Sequence, residues 1–197
     1  MLMTAKQYLF NASSPRFCGG VKKLSTLILL LEKRTLQILV LLITTIFIAN
    51  VPLQALRLPI FWATEVSVHL MAMLGAIGAS YLIGVGAHPS VTLIEDLVSK
   101  ATASIMSVIV NICIVIFGAS ILAISFYWFD PIGVLSNLDD MDSYAIETGN
   151  FLYKQTLNTV DIHIFWFWLV WPLSGLSIFI HGIDNVITAI FSDKKRS

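Results

Sequence analysis

Hydrophobic and polar residues follow one another along the chain in long blocks, not in the short alternation of a β-strand. Four blocks are apolar over about twenty residues or more, which is the length that a helix needs to cross a bilayer. They cover residues 36–56, 64–87, 101–129 and 162–183. The pattern predicts an all-α integral membrane protein with four transmembrane helices.

The N-terminal segment 1–35 carries its own helical signal ahead of the first span. Its apolar residues recur at helical spacing, and the charged triplet Glu32-Lys33-Arg34 follows them at once. This arrangement predicts a short interfacial helix, with the triplet at the level of the lipid headgroups. A basic C-terminal tail (184–197) follows the predicted four-helix domain (36–183). An acidic loop (130–161), which we expect to be external, lies within that domain.

The basic residues are distributed unevenly between the two ends of the predicted spans. Of the 12 Lys and Arg residues, all except Arg57 and Lys154 lie in the N-terminal segment, between spans two and three, or at the C-terminus. Cytoplasmic loops of membrane proteins carry an excess of Lys and Arg. We therefore expect both termini to be cytoplasmic and the 130–161 loop to be external.

The composition agrees with a membrane protein and narrows the possible partners. Hydrophobic residues make up 57% of the chain and charged residues 12%, and the mean hydropathy is +0.84. Soluble domains contain about 45–50% apolar and about 25% charged residues. Membrane lipid is thus an expected partner, whereas a net charge of zero argues against nucleic acid. Cys18 and Cys113 lie in different environments, and we expect two unpaired thiols.

Span two carries an ionisable group near its outer end, where Glu65 follows Trp62 by one helical turn. A charge within a membrane helix is costly unless it is paired, so such a group suggests a function. Three interpretations stay open: an interfacial carboxylate that sets helix depth or pairs with Arg57, a contact to another subunit, and proton or ion handling.

The same span carries a row of small residues. Small side chains at a spacing of four let another helix backbone approach closely, which favours helix association in lipid. The row consists of Ala72, Ala76, Ser80 and Gly84, with Gly75, Gly78 and Ala79 beside it. We expect a packing face here, against either a helix of this chain or another protein.

The four histidines suggest one alternative function. In the predicted topology His69 and His163 lie toward the outer side, and His88 and His181 toward the inner side. Paired histidines at matched depth can ligate haem iron, as in a membrane anchor of a respiratory complex. No glycine-rich phosphate loop, nucleophile elbow or zinc motif occurs in the sequence, so we expect no enzyme activity, cofactor or metal.

Several short motifs occur together in one order. A leucine-rich stretch ends in Glu32, and Trp62-x-x-Glu65, Leu74-Gly75-Ala76 and Gly86-x-His88 follow. In this order the chain resembles the small membrane subunit of tripartite ATP-independent periplasmic (TRAP) transporters, the DctQ-like small permease. It departs from that family at Ile83-Gly84-Val85-Gly86, where basic residues are common, and at Thr92, where an acid is common.

The resemblance implies a non-catalytic subunit of a secondary transporter in the bacterial inner membrane. Such a subunit would scaffold a large permease, which takes up an organic acid from a periplasmic solute-binding protein, driven by an ion gradient. No ligand site would lie in this chain. The candidate subunit-interface residues are Trp62, Glu65, Ala72, Gly75, Ala76, Ser80, Gly84 and His88.

Overall fold

The computed structural model describes residues 16–86 and 100–193. This part of the chain forms seven helices and no sheet. They are α1 (Arg16–Ala55), α2 (Phe61–Gly84), α3 (Lys100–Phe129), α4 (Pro131–Ser136), α5 (Met141–Thr148), α6 (Phe165–Trp168) and α7 (Val170–Asp193). α1, α2, α3 and the α6–α7 pair are each long and apolar enough to cross a membrane. The predicted all-α fold with four spans is confirmed.

The N-terminal part of the chain differs from the prediction. α1 runs without interruption for 40 residues, so the expected interfacial helix continues directly into the first span. The reason lies in the sequence, since residues 21–51 contain neither Gly nor Pro and are rich in helix-forming Leu, Lys and Arg. At about 1.5 Å per residue, α1 is longer than a bilayer core, so it must tilt or project beyond it.

α7 is the helix around which the bundle is built. It packs most extensively against α3 and also contacts α2 and α1, which pack against each other. In the described residues, α3 joins the bundle mainly through α7. Side chains on α7 are therefore placed to meet groups from all three other spans.

The contact between α3 and α7 depends on glycine. A Cβ atom added to Gly118 would lie 2.7 Å from the backbone nitrogen of Phe179, and one added to Gly175 would lie 2.7 Å from a methyl of Ile121. Gly182 is similarly confined. Glycine thus brings the backbones of spans three and four close together, although the predicted row of small residues lies on span two.

Span four is broken near its outer end, as Pro172 predicts. α6 ends at Trp168 and α7 begins at Val170, with Leu169 between them. Proline has no N–H group and its ring crowds the preceding turn, so it interrupts the hydrogen-bond ladder three to four residues before itself. The break lies where the segment 130–161, predicted to be external, leads into span four.

The segment 130–161, called the external segment after its predicted location, folds over one end of the helices, which we call their outer ends on the same prediction. Asp130 adopts a left-handed conformation with φ 36° and caps α4, accepting a hydrogen bond from the Gly133 N–H at 3.0 Å. Its other oxygen accepts from the Tyr144 hydroxyl at 2.8 Å. Tyr144 is buried, and burial together with the Asp130 carboxylate raises the pKa of its phenol. One acid thus joins the end of α3 to both short helices.

Two further side chains cover the end of α3. Asn150 donates to the Trp128 carbonyl at 2.9 Å, and Tyr153 donates to the Phe129 carbonyl at 2.6 Å. The last carbonyls of a helix have no partners within it. These hydrogen bonds satisfy two of them and hold the external segment on the bundle.

Candidate functional site

Four buried polar residues of the bundle, among them the completely buried Ser80 and His181, lie together. We call them the inner polar cluster: Ser25, Glu32, Ser80 and His181. The Ser80 hydroxyl donates to Glu32 Oε1 at 2.5 Å, and Glu32 Oε2 lies 3.3 Å from His181 Nε2. On the other side of the ring, His181 Nδ1 lies 2.8 Å from the Ser25 hydroxyl. The cluster joins α1, α2 and α7.

Each member of the inner polar cluster is almost inaccessible. His181 and Ser80 are 0% exposed, and Glu32 is 7% exposed. A buried carboxylate is tolerated only when its oxygens are hydrogen-bonded or paired, and both Glu32 oxygens have such partners. A serine, a histidine and an acid in a row also occur in hydrolases, but here Ser25 is 5% exposed and no face is open to a substrate. The arrangement is therefore suited to joining helices.

Gly84 is required beside this cluster. A Cβ atom at Gly84 would lie 2.9 Å from two atoms of the His181 ring and would also collide with Leu29. One turn further along α7, the Asn185 amide donates to the Ile83 carbonyl at 3.0 Å. The inner end of α2 is thus fixed by close packing and by a hydrogen bond to α7.

A second polar site, the outer clasp, consists of Glu65, Asn158 and Thr159. Glu65 Oε1 accepts hydrogen bonds from the Asn158 backbone N–H at 2.8 Å and from its side-chain amide at 2.9 Å. Glu65 Oε2 accepts from the Thr159 N–H at 2.9 Å and from its hydroxyl at 2.5 Å. The carboxylate therefore holds the tip of the external segment, and these residues take the place of the predicted partner Arg57.

The row of small residues on α2 does not lie on one face. Steps of four residues turn an α-helix by about 40° beyond a full turn, so the row winds around the helix axis. Ala72 is exposed and Ala76 half-buried, whereas Ser80 is completely buried and Gly84 contacts His181. Trp62 is 42% exposed near the outer end. His88 lies outside the described residues.

The described histidines take part in internal contacts. His69 Nδ1 lies 2.9 Å from the Glu65 carbonyl, and its ring packs 4.9 Å from that of Phe167. His163 forms a β-bridge with Thr156 in the external segment. Both ring nitrogens of His181 are engaged in the inner polar cluster. Because both of its ring nitrogens have partners within the chain, His181 has no free nitrogen for a haem iron.

The inner polar cluster is not predicted by the sequence pattern. The pattern places Glu32 at headgroup level and indicates His181 only as a possible haem ligand. One signal was available, because an acid and a histidine occur within otherwise apolar helices, where such groups face the bundle interior and pair with one another.

The fold and its buried polar contacts define a helical integral membrane protein with four spans. The family model described as "Tripartite ATP-independent periplasmic transporters, DctQ component" matches residues 38–192. The chain belongs to this family, which confirms the resemblance to the TRAP small permease and its location in the inner membrane, and the match does not support the haem-anchor alternative. As a component of a tripartite transporter, it works together with other transporter subunits. No curated protein and no solved structure matches the chain significantly.

Proposed function

We propose that this chain is a non-catalytic scaffold subunit that supports a large permease during ion-driven uptake of an organic acid delivered by a periplasmic solute-binding protein. Two things support this proposal: the family to which the chain belongs, and one observation in the structure. Glu32 and Glu65, the two acids within the described spans α1 and α2, are both held by groups of this chain. A solute or ion path needs polar groups that are free to exchange partners, and two acids that are held in this way favour a path in another subunit.

The docking surface for the large permease is proposed on the exposed face of α2 around the middle of the helix. A Cβ atom at Gly75 would meet no atom of this chain within 4 Å, and Ala72 and Ala79 are also exposed. Gly75 and Ala79 are four residues apart, the spacing at which a second helix can approach the backbone closely. Ser80 and Gly84 support this face from inside the chain and do not form part of it.

The orientation follows from the distribution of charge. We place both termini in the cytoplasm and the external segment in the periplasm, because nearly all Lys and Arg residues lie at the inner ends of the helices. The outer clasp then holds a periplasmic surface beside the proposed docking face. This surface carries several exposed acids and is available to the solute-binding protein.

Deletion of this chain from a strain that retains the other subunits tests the proposed function. Uptake of the transported acid should fall to background and return when the chain is supplied on a plasmid. The large permease should co-purify with the tagged chain. Full uptake in the deletion strain would refute the scaffold role.

A further inference from the structure

Two cations, Lys33 and Arg34, lie on the exposed surface of α1 next to Glu32, the buried acid of the inner polar cluster. Successive residues of a helix point about 100° apart, so the inward direction of Glu32 leaves Lys33 and Arg34 exposed on the other sides. The ion pairs within the described residues are those of Lys154 and His181, and neither involves these cations. The Arg34 guanidinium contacts only the Gln37 side chain, at 3.4 Å.

The contacts of Glu32 fix the depth of the two cations. Glu32 bonds Ser80, and α2 ends four residues later at Gly84, which is about 6 Å along the axis. Lys33 and Arg34 therefore lie about one helical turn from the end of a span. Side chains on a helix point toward its N-terminus, and the long stems of Lys and Arg reach to the membrane surface from such positions.

Large apolar side chains follow the cations on the next turns of α1. Ile38 and Leu41 lie one and two turns beyond Arg34 on the same side of the helix, and they are 57% and 67% exposed. Because α1 runs from the inner to the outer side in the predicted orientation, these side chains lie deeper in the membrane than the cations. A surface-reaching cation followed by outward-facing apolar side chains matches the two parts of a phospholipid, the phosphodiester and the acyl chain. Each cation adds attraction for lipids that carry a net negative charge.

We propose that Lys33 and Arg34, with Ile38 and Leu41, bind an anionic phospholipid at the inner end of the bundle. The two cations contact the phosphodiester headgroup, and Ile38 and Leu41 contact the first part of its acyl chains. Such a lipid holds α1 at a fixed depth in the membrane, at the turn where Lys33 and Arg34 lie next to the buried Glu32. The proposal rests on the membrane placement and orientation given above, and it is independent of the large permease.

Native mass spectrometry of the purified chain, with equal amounts of phosphatidylglycerol and phosphatidylcholine added, tests this site. The wild-type chain should retain phosphatidylglycerol in preference to phosphatidylcholine. The double variant K33Q/R34Q should lose roughly tenfold in phosphatidylglycerol occupancy, because two surface cations are removed. The charge-preserving variant K33R/R34K should retain it.

The matched control is R57Q/K154Q, which removes the same charge at the opposite end of the bundle and should leave the occupancy unchanged. Equal retention of both lipids by the wild-type chain would overturn the proposal, as would an unchanged occupancy in K33Q/R34Q. Loss of the co-expressed large permease from K33Q/R34Q, with lipid occupancy unaltered, would assign the cations to an acidic protein partner instead and would also overturn it.

Discussion

His181 and Glu32 are separated by 149 residues in the sequence, yet His181 Nε2 lies 3.3 Å from the Glu32 carboxylate inside the bundle. The contact joins the last span to the first. With Ser25 and Ser80 it forms the polar connection on which the relative positions of α1, α2 and α7 depend.

Replacement of one partner should destabilise the bundle strongly. His181→Ala leaves the Glu32 carboxylate without one of its partners in a dry environment, and breaking a buried pair costs about 3–5 kcal/mol. The melting temperature in detergent should fall accordingly. Glu32→Ala should have a similar effect, and the double variant should lose much less than the sum of the two. Additive losses would show that the two residues act independently.

The same substitution at two glycines of α2 should lower the stability at one position and leave it unchanged at the other. Gly84→Leu forces a side chain into His181 and Leu29, and overpacking of this kind typically costs about 1–3 kcal/mol. Gly75→Leu meets open space and should leave the melting temperature of the isolated chain unchanged. A similar loss in both variants would contradict the packing described for α2.

The outer clasp should control the mobility of the external segment. Glu65→Ala removes the acceptor for four hydrogen bonds, so the backbone amides of Asn158 and Thr159 should exchange with deuterium several-fold faster. Amides within α5 serve as the internal control and should not change. Unaltered exchange at the tip would mean that other contacts hold it.

Acidification should loosen the start of α5. The Asp140 carboxylate accepts hydrogen bonds from the backbone N–H and the hydroxyl of Ser143, and these bonds lower its pKa. Because the folded-state pKa is depressed, this stabilisation is present above the ordinary Asp pKa and is lost as pH falls through the folded value.

Hydrogen exchange of α5 measured from pH 6 down to pH 2, corrected for the intrinsic pH dependence, should therefore show fraying at the acidic end. Asp140→Asn keeps a capping side chain but cannot titrate, so its α5 should show no such transition. An identical transition in both proteins would assign the effect to another group.

The sequence predicted those features that depend on local composition. Apolar blocks are enough to define four spans, and a proline is enough to place the break before Pro172. The course of α1 was less evident, because the triplet at Glu32 is typical of a membrane surface, while the absence of helix-breaking residues favours one continuous helix.

The polar sites could not be predicted from the sequence, because their residues come from distant segments of the chain. Neither the partner of Glu32 nor that of Glu65 is a neighbour in the sequence, and Thr159 lies 94 residues from the carboxylate that it binds. The small-residue row was visible, but the 40° drift of a four-residue spacing decides which members face outward, and only the structure shows that Gly75 is open and Ser80 is not.

We propose that this chain is a scaffold and that a large permease contacts it on α2. The most direct test is co-purification of the co-expressed large permease with the tagged chain carrying Gly75→Leu, compared with Ala119→Leu on the exposed surface of α3. Gly75→Leu should reduce recovery of the permease at least several-fold, whereas Ala119→Leu should recover it like the wild type. Equal recovery with both variants would contradict the account.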